Sequence, residues 1–374
     1  MNFQINKDTL LNHLIVAQKG LSNKTPNPAL QGIKLEVFKD NLLITTSNSD
    51  IAIKQTIKDA SLEVKSEGSV LIPGKYFIEI IRKLDGLKVN LSQVADNMLR
   101  IEADRSDITL NMMDLDDYPE LQFSEKVKSI KINVRTLKTI IRQTAFATSS
   151  VENRPILTGV NFKIEGNKLN AIATDSYRLS RKEIELNESY ELLNIIIPGR
   201  SLEELVKILD NNNETVELHF DHSKILFKYK DILFQSRLLE GNYPETSKLV
   251  PTEFPIVIKF NKESLSTAIE RASLLSSRDG NNSIVKLALR QDNIIEITSN
   301  SPEIGKVLEE VYPVDEIVGS PFKIAFSSKY IIEALKVFNS SEVLINFTGE
   351  IRPFVLKGEY DENMIQLILP VRTE

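Results

Sequence analysis

The side chains with the widest chemical repertoire in this chain are few. His219-Phe220-Asp221-His222 puts two imidazoles and a carboxylate into one tetrapeptide, the donor types that hold a transition metal. In a strand, alternation places His219 and Asp221 on one face and His222 on the other, so the three diverge and no metal is expected. His13 falls on an apolar position of a helical pattern, as a half-buried, hydrogen-bonded imidazole would. Asp114, Asp116 and Asp117 crowd one segment before a Tyr-Pro pair, which suits a solvated acidic bend. The chain has no cysteine, which removes disulfides, thiolate ligands and a cysteine nucleophile together. Neither a glycine-rich phosphate loop of the Walker type nor a Gly-x-Ser-x-Gly turn occurs. The expectation is a chain with no catalytic residue, metal or cofactor, whose chemistry is binding.

The elements that would position binding residues are written three times. Leu10, Leu14 and Ala17 sit at helical spacing, and so do Leu137, Ile140, Ile141 and Thr144, then Leu265, Ala268, Ile269 and Ala272. Each follows a short alternating run: Phe3-Gln4-Ile5, Ile130-Lys131-Ile132 and Ile258-Lys259-Phe260. A second helix recurs as Phe77, Ile80, Ile81, Leu84, as Leu202, Leu205, Val206, Leu209, and as Ile331, Ala334, Leu335, Phe338. Its apolar residues fall at i, i+3, i+4 and i+7, one helix face. The first two copies lead into it through Pro73-Gly74-Lys75 and Pro198-Gly199-Arg200, where glycine permits a tight strand-to-helix turn. The third has Ser327-Ser328-Lys329, with serine expected as an N-cap. Asp117-Tyr118-Pro119-Glu120 and Asn242-Tyr243-Pro244-Glu245 end the first two copies alike.

The period is about 125 residues, too long for a solenoid and long enough for each copy to bury a core. The reading is an α+β fold of three domains, 1–126, 127–253 and 254–374. Each carries two helices packed on antiparallel sheet.

The net charge of −6 argues at face value against a nucleic-acid binder. The signs are segregated, however. The predicted helices are net positive, through Lys7, Lys19, Lys75, Arg82, Lys83, Arg135, Lys138, Arg142, Lys329 and Lys336 among others. Acidic residues collect in strands and loops, as in Asp114-Leu115-Asp116-Asp117 and Glu183-Ile184-Glu185. Cations gathered on helices suit sequence-independent attraction to phosphates. A triplicated adaptor that binds proteins and never DNA would also explain the repeats and the acidic total, but not this segregation. No apolar run reaches membrane-spanning length and the first residues lack the pattern of a signal peptide, so a cytoplasmic protein is expected.

Four further segments, in order, are more specific: 152–160 (ENRPILTGV), 173–180 (ATDSYRLS), 242–245 (NYPE) and 369–372 (LPVR). Through them the chain resembles the bacterial DNA polymerase III beta subunit, the beta sliding clamp family, over essentially its whole length. The resemblance implies three clamp domains with their helices lining the pore of a ring, a processivity subunit with no catalysis of its own. It implies a head-to-tail homodimer that encircles duplex DNA, closed by sheet edges, with the strand from Asp107 to Asn111 and Ile108 at the junction. It also implies a groove between the second and third copies. There short peptides of the replicative polymerase, the clamp loader, and repair and translesion polymerases bind. By position the groove residues are Leu157, Thr174, Tyr177, Arg178, Leu179, Pro244, Lys248, Leu249, Tyr330, Ile351, Pro353, Leu369, Pro370, Val371 and Arg372. For DNA the expected contacts are Lys24, Lys75, Arg142, Asn153, Arg154 and Arg200. The chain departs from the family's commonest pattern at Ser176-Tyr177, where Gly-His is frequent, and in a tail with Leu369, Val371, Thr373 and Glu374. Branched aliphatics are stiffer than methionine, so these departures bear on which peptides fit.

Overall fold

The structure is a computed structural model that describes all residues except 23–24, 127–128, 152, 277, 280–281, 316, 318 and 373–374. Among the described residues six α-helices recur in pairs: α1 (Lys7–Ala17), α2 (Gly74–Lys83), α3 (Val134–Thr144), α4 (Gly199–Ile208), α5 (Lys262–Ser273) and α6 (Ser328–Lys336). α1 and α5 begin on an asparagine, Asn6 and Asn261, whose side chain accepts from the first-turn amides. That satisfies donors which a helix start leaves unpaired. α2 begins at Gly74, where a Cβ would lie 2.6 Å from Leu21 Cδ1, so glycine is required there for close approach. In the third copy Ser328 stands at the corresponding place. Ser327 occupies the cap position but makes no capping hydrogen bond, contrary to the sequence expectation. It closes the strand Lys323–Ser327, and its hydroxyl is buried without a partner.

Two boundaries also differ from the sequence reading and change the charge count. Lys19 lies in a 3-10 turn, Gln18–Gly20, after α1, and Arg278 lies in a strand beyond α5. The surplus of cations is therefore concentrated on α2, α3 and α6.

Every strand pairing among the described residues is antiparallel, in four sheets. Two lie within single copies. The first holds Glu63–Ser66, Asn2–Asn6, Lys88–Ala95, Met98–Ala103 and Ser106–Asn111, in that order. The other includes Asn282–Leu289, Ile295–Ser301 and Gly305–Val311. The remaining two sheets cross from copy to copy. In the eight-stranded sheet, Ile232–Arg237 of the second copy pairs with Ile51–Ile57 of the first, Phe234 opposite Ile53. In the six-stranded sheet, Met364–Ile368 of the third copy pairs with residues 178–182 of the second, Leu367 opposite Leu179. In the second copy Gly159–Thr174 runs unbroken against Arg178–Pro198, with bulges near Gly166.

Sheets that cross copies explain why the chain's compact units do not follow the repeats. One unit comprises Met1–Leu137 and Ser201–Leu238, the other Lys138–Arg200 and Leu239–Glu374. In the first, Phe3, Ile5, Leu10, Leu14, Phe77 and Ile81 join strand residues such as Ile33, Leu35 and Leu91 in a buried core. In the second, Phe260, Leu265, Ile269, Phe326, Ile331, Phe347 and Phe354 do the same. Both cores include the periodic helix positions that the sequence marks, joined by further strand residues it does not. Among the described residues no helix is long and apolar enough to cross a membrane.

Candidate functional site

The second unit carries a surface where strand, turn and tail residues meet. The turn between Gly159–Thr174 and Arg178–Pro198 is tied down locally. Asp175 Oδ1 accepts from the amides of Tyr177 at 2.9 Å and Arg178 at 3.0 Å, and Thr174 Oγ1 donates to the Arg178 carbonyl at 2.6 Å. Ser176 takes φ +78°, a left-handed conformation that explains why glycine suits this position. The Tyr243 hydroxyl accepts from the Thr174 amide at 3.0 Å, which links the second Tyr-Pro pair to the turn. Burial raises the Tyr243 hydroxyl's pKa well above the ordinary phenol value, so this group stays protonated.

Arg178 is the node of the cluster, its side chain only 7% exposed. Nε donates to Asp175 Oδ2 at 3.0 Å, one terminal nitrogen to Glu333 on α6, and the other to the Phe146 carbonyl at 2.6 Å. Its guanidinium also lies 5.2 Å from the Phe146 ring centroid and 4.7 Å from that of Tyr330. Tyr330 in turn stacks with Tyr177, centroids 6.5 Å apart. A buried cation survives because carboxylates, a carbonyl and two ring faces replace its water.

Beside this node lies an apolar floor. Leu179, Val355 and Leu367 are buried, with Ile172, Val250, Phe254, Ile365 and Leu369 partly buried against them. The tail is held by its backbone, Leu369 N donating to the Tyr177 carbonyl at 2.9 Å and Val371 N to that of Ala325 at 2.7 Å. The structure thus brings together Thr174, Tyr177, Arg178, Leu179, Tyr330 and Leu369 of the expected groove set. Leu157 is buried, while Pro353 and Pro370 are half-buried. Tyr177, Leu249 and Ile351 are exposed apolar side chains, at 61%, 51% and 68%. Pro244, Lys248 and Arg372 are exposed, and no hydrogen bond, ion pair or ring contact joins them to the node among the described residues. Thr373 and Glu374 lie outside the described residues.

Sequence reasoning missed Val355, Leu367, Val250 and Phe254 in the floor, and Glu333 and Phe146 around Arg178. Alternation in Met364–Ile368 would have put Leu367 on a face, but not beside Leu179. That pairing crosses 188 positions of chain and leaves no local mark.

Of the residues expected at DNA, Lys75, Arg142, Asn153, Arg154 and Arg200 are all exposed, and Lys24 lies outside the described residues. The cations Lys75, Arg142, Arg154 and Arg200 have no ion-pair partner among the described residues. Other helix cations are neutralised, Arg82 by Glu79, Lys207 and Lys19 by Glu204, and Arg271 by Glu309. Two of the histidines make local bonds: His13 Nδ1 lies 3.0 Å from Gln55 Oε1, and buried His219 bonds the Lys126 backbone through Nδ1. Asp221 accepts from the Ser223 and Lys224 amides, and no group of three or more possible metal ligands occurs among the described residues.

Comparison with known proteins decides the family. The models of the DNA polymerase III beta subunit match in series, the N-terminal domain at 1–122, the central domain at 131–245 and the C-terminal domain at 247–372. The chain belongs to the DNA polymerase III beta subunit family, the sliding clamps. It is 42% identical over 382 residues to the beta sliding clamp of Bacillus subtilis (strain 168) and 40% identical over 378 residues to that of Staphylococcus aureus (strain N315), covering all of both chains. Its fold matches the B. subtilis sliding clamp structure with a TM-score of 0.93 at 42% identity. The Streptococcus pneumoniae beta chain matches with 0.95 at 37% identity, again over the full length of both. The three repeats are therefore three beta-clamp domains of mixed helix and antiparallel sheet. A sliding clamp is a non-catalytic subunit of the polymerase, in keeping with a site made of apolar surface and fixed ion pairs.

Proposed function

We propose that this chain forms a homodimeric ring that encircles duplex DNA in the cytoplasm and confers processivity on the replicative polymerase. The observation that carries the reading is how the copies are joined. Ile51–Ile57 of the first copy takes up Ile232–Arg237 of the second, and residues 178–182 of the second take up Met364–Ile368 of the third. By the same rule Gly305–Val311 of the third copy requires a strand of the type Ser106–Asn111. Among the described residues each of these strands is the open end of its own sheet. Two chains set head to tail would satisfy both edges twice over, with Ile108 in the junction, and a heterologous contact that closes makes a ring. Unpaired edges of this length otherwise invite aggregation. The clamp domains would run 1–126, 127–253 and 254–374.

The unpaired cations Lys75, Arg142, Arg154 and Arg200, with Lys24 and Asn153, would meet phosphates without reading sequence. The surface around Arg178 and Leu179, bordered by Leu157, Pro244, Lys248, Leu249, Ile351, Pro353 and the tail 369–372, would be the groove. It would take short apolar-anchored peptides of the polymerase, the clamp loader, and repair and translesion polymerases.

The test is topological. The protein is placed on nicked circular duplex DNA by a clamp loader with ATP and then filtered at a salt concentration that abolishes contact binding. Retention on the circle and release when one enzyme linearises it is the expected result. Equal behaviour on circular and linear DNA would replace the ring with a protein adaptor.

A further inference from the structure

Thr215–Phe220 presents two rows of side chains, Val216 and Leu218 buried on one, Glu217 and His219 together on the other. Glu217 is 36% exposed, as an outward row allows, yet His219 is only 4% exposed. The segment that joins the first copy to the second lies against its ring. Nδ1 is 3.0 Å from both the amide nitrogen and the carbonyl oxygen of Lys126. Nε2 is buried without a hydrogen-bond partner among the described residues, 3.7 Å from Glu217 Oε2. Other charged groups surround the ring. Lys131 and Lys228 stand opposite Glu217 on the two neighbouring strands, and Lys228 donates to Glu125 of the joining segment at 2.5 Å. Asp221, past the end of the strand, accepts from the Ser223 and Lys224 amides, which with Lys126 keep its carboxyl below the ordinary range. Among the described residues only Glu217 comes within ion-pair distance of the ring.

A neutral imidazole has one N–H and cannot serve this setting in full. With the proton on Nε2, Nδ1 accepts from the Lys126 amide, and Nε2–H has no acceptor within hydrogen-bond length. With the proton on Nδ1, the Lys126 carbonyl is served, and a bare Nε2 lone pair faces a carboxylate. An imidazolium has a donor at each end, Nδ1–H for the carbonyl and Nε2–H for Glu217. Charge-assisted bonds of this kind are about twice as strong as neutral ones. The released Lys126 amide belongs to an exposed residue and turns to water. We infer that His219 is a proton-operated clasp. On taking a proton from solvent it bridges Glu217 and the Lys126 carbonyl, and so grips the segment joining the first two copies more firmly. The inference needs neither the ring nor the groove, so it stands or falls apart from them.

The test is tryptic cleavage after Lys126, which requires the segment to open, in the intact protein and in His219→Asn. An asparagine amide reaches the position of Nδ1 and takes up no proton, so the ratio of the two cleavage rates cancels the protease's own pH dependence. The rates are compared at about pH 8 and about pH 6, across the range where imidazoles change charge. At the higher pH the two proteins should be cut alike. At the lower, the unaltered protein should be cut about fivefold more slowly than His219→Asn, the upper range for a half-exposed ion pair. Glu217→Gln should abolish most of that slowing while keeping the histidine, and both variants should keep the unaltered urea midpoint at the higher pH. A rate ratio that does not change with pH overturns the clasp. So does full slowing in Glu217→Gln, because the imidazolium would then need no counter-charge.

Discussion

Ser176 holds a left-handed backbone, φ +78°, that an L side chain enters at a cost of about 1–2 kcal/mol. Glycine removes that cost but gives back about 0.5–1 kcal/mol through a freer unfolded chain. Ser176→Gly should therefore stabilise the protein by roughly 0.5 kcal/mol, read as a higher urea midpoint with unchanged slope. A lower midpoint would mean that serine contributes a bond outweighing its strain. Two residues on, Arg178 is the only cation paired with Asp175 among the described residues; Asp175's side chain is 12% exposed, and Arg178 also holds Glu333 at 32%. Truncation to alanine takes the guanidinium from both carboxylates and from the Phe146 carbonyl, leaving Asp175 only its two backbone amide donors. Arg178→Ala should cost about 3 kcal/mol in equilibrium unfolding. Lysine should recover little, because its compact ammonium cannot span the three acceptors that the guanidinium reaches from three separate nitrogens. Full recovery by Arg178→Lys would show that charge alone matters. The motif Ser176-Tyr177-Arg178-Leu179 was legible in the sequence by resemblance. Glu333 and Phe146 were not, because what selects them is reach across the fold, not spacing.

At the scale of elements, the six helices and the short strand before the first helix of each copy could be read from periodicity because each buries one face in a core. What periodicity does not carry is which strand ends pair. The junctions Phe234–Ile53 and Leu367–Leu179 join segments with ordinary alternation, so the sheets that cross copies were invisible until the fold was built. The same holds for the strap after α6. Asp361, buried in the turn before Met364–Ile368, accepts from the amides of Asn339 and Ser340 at 3.0 Å and from the Ser340 hydroxyl at 2.8 Å. Burial by itself would raise its pKa, but these bonds outweigh burial and hold the carboxyl below its ordinary 3.8. A depressed carboxylate stabilises the fold fully above the unfolded value, and that contribution is lost as pH falls through the folded value. Asp361→Ala should cost about 2 kcal/mol at neutral pH, the price of orphaned buried amides. The gap from the unaltered protein should narrow as pH falls below 3.8. A gap that stayed constant into acid would mean that the carboxyl's charge plays no part.

For the whole molecule, the repeat itself specifies how two chains would meet. Thr46 Oγ1 donates to the Ala17 carbonyl at the end of α1, and Ser299 Oγ donates to the Ala272 carbonyl near the end of α5, so these two hydroxyls mark equivalent places. Opposite them in the next strand stand Ile53 and Val307. In the other strand, the hairpins that turn at Asp104 and Lys230, both left-handed, pair Ile101 with Ile108 and Phe227 with Phe234. Ile108 is thus the first copy's counterpart of Phe234. Within the chain Phe234 faces Ile53, so the closing contact should set Ile108 of one chain opposite Val307 of another. Opposed residues in an antiparallel ladder have Cα atoms about 4.5–5.5 Å apart, within disulfide reach. The chain has no cysteine, so Ile108→Cys with Val307→Cys introduces the only thiols present. Mild oxidation should give covalent dimers at twice the 42.3 kDa chain mass on a denaturing gel, and the cross-linked ring should remain on circular DNA after dilution. Shifting one partner by a single residue, as Ile108→Cys with Leu308→Cys, turns the side chains to opposite faces and should abolish the bond. Efficient cross-linking of the shifted pair and none of the aligned one would rule out this register, while a chain that stays monomeric on dilution and forms neither bond would rule out closure by these edges altogether.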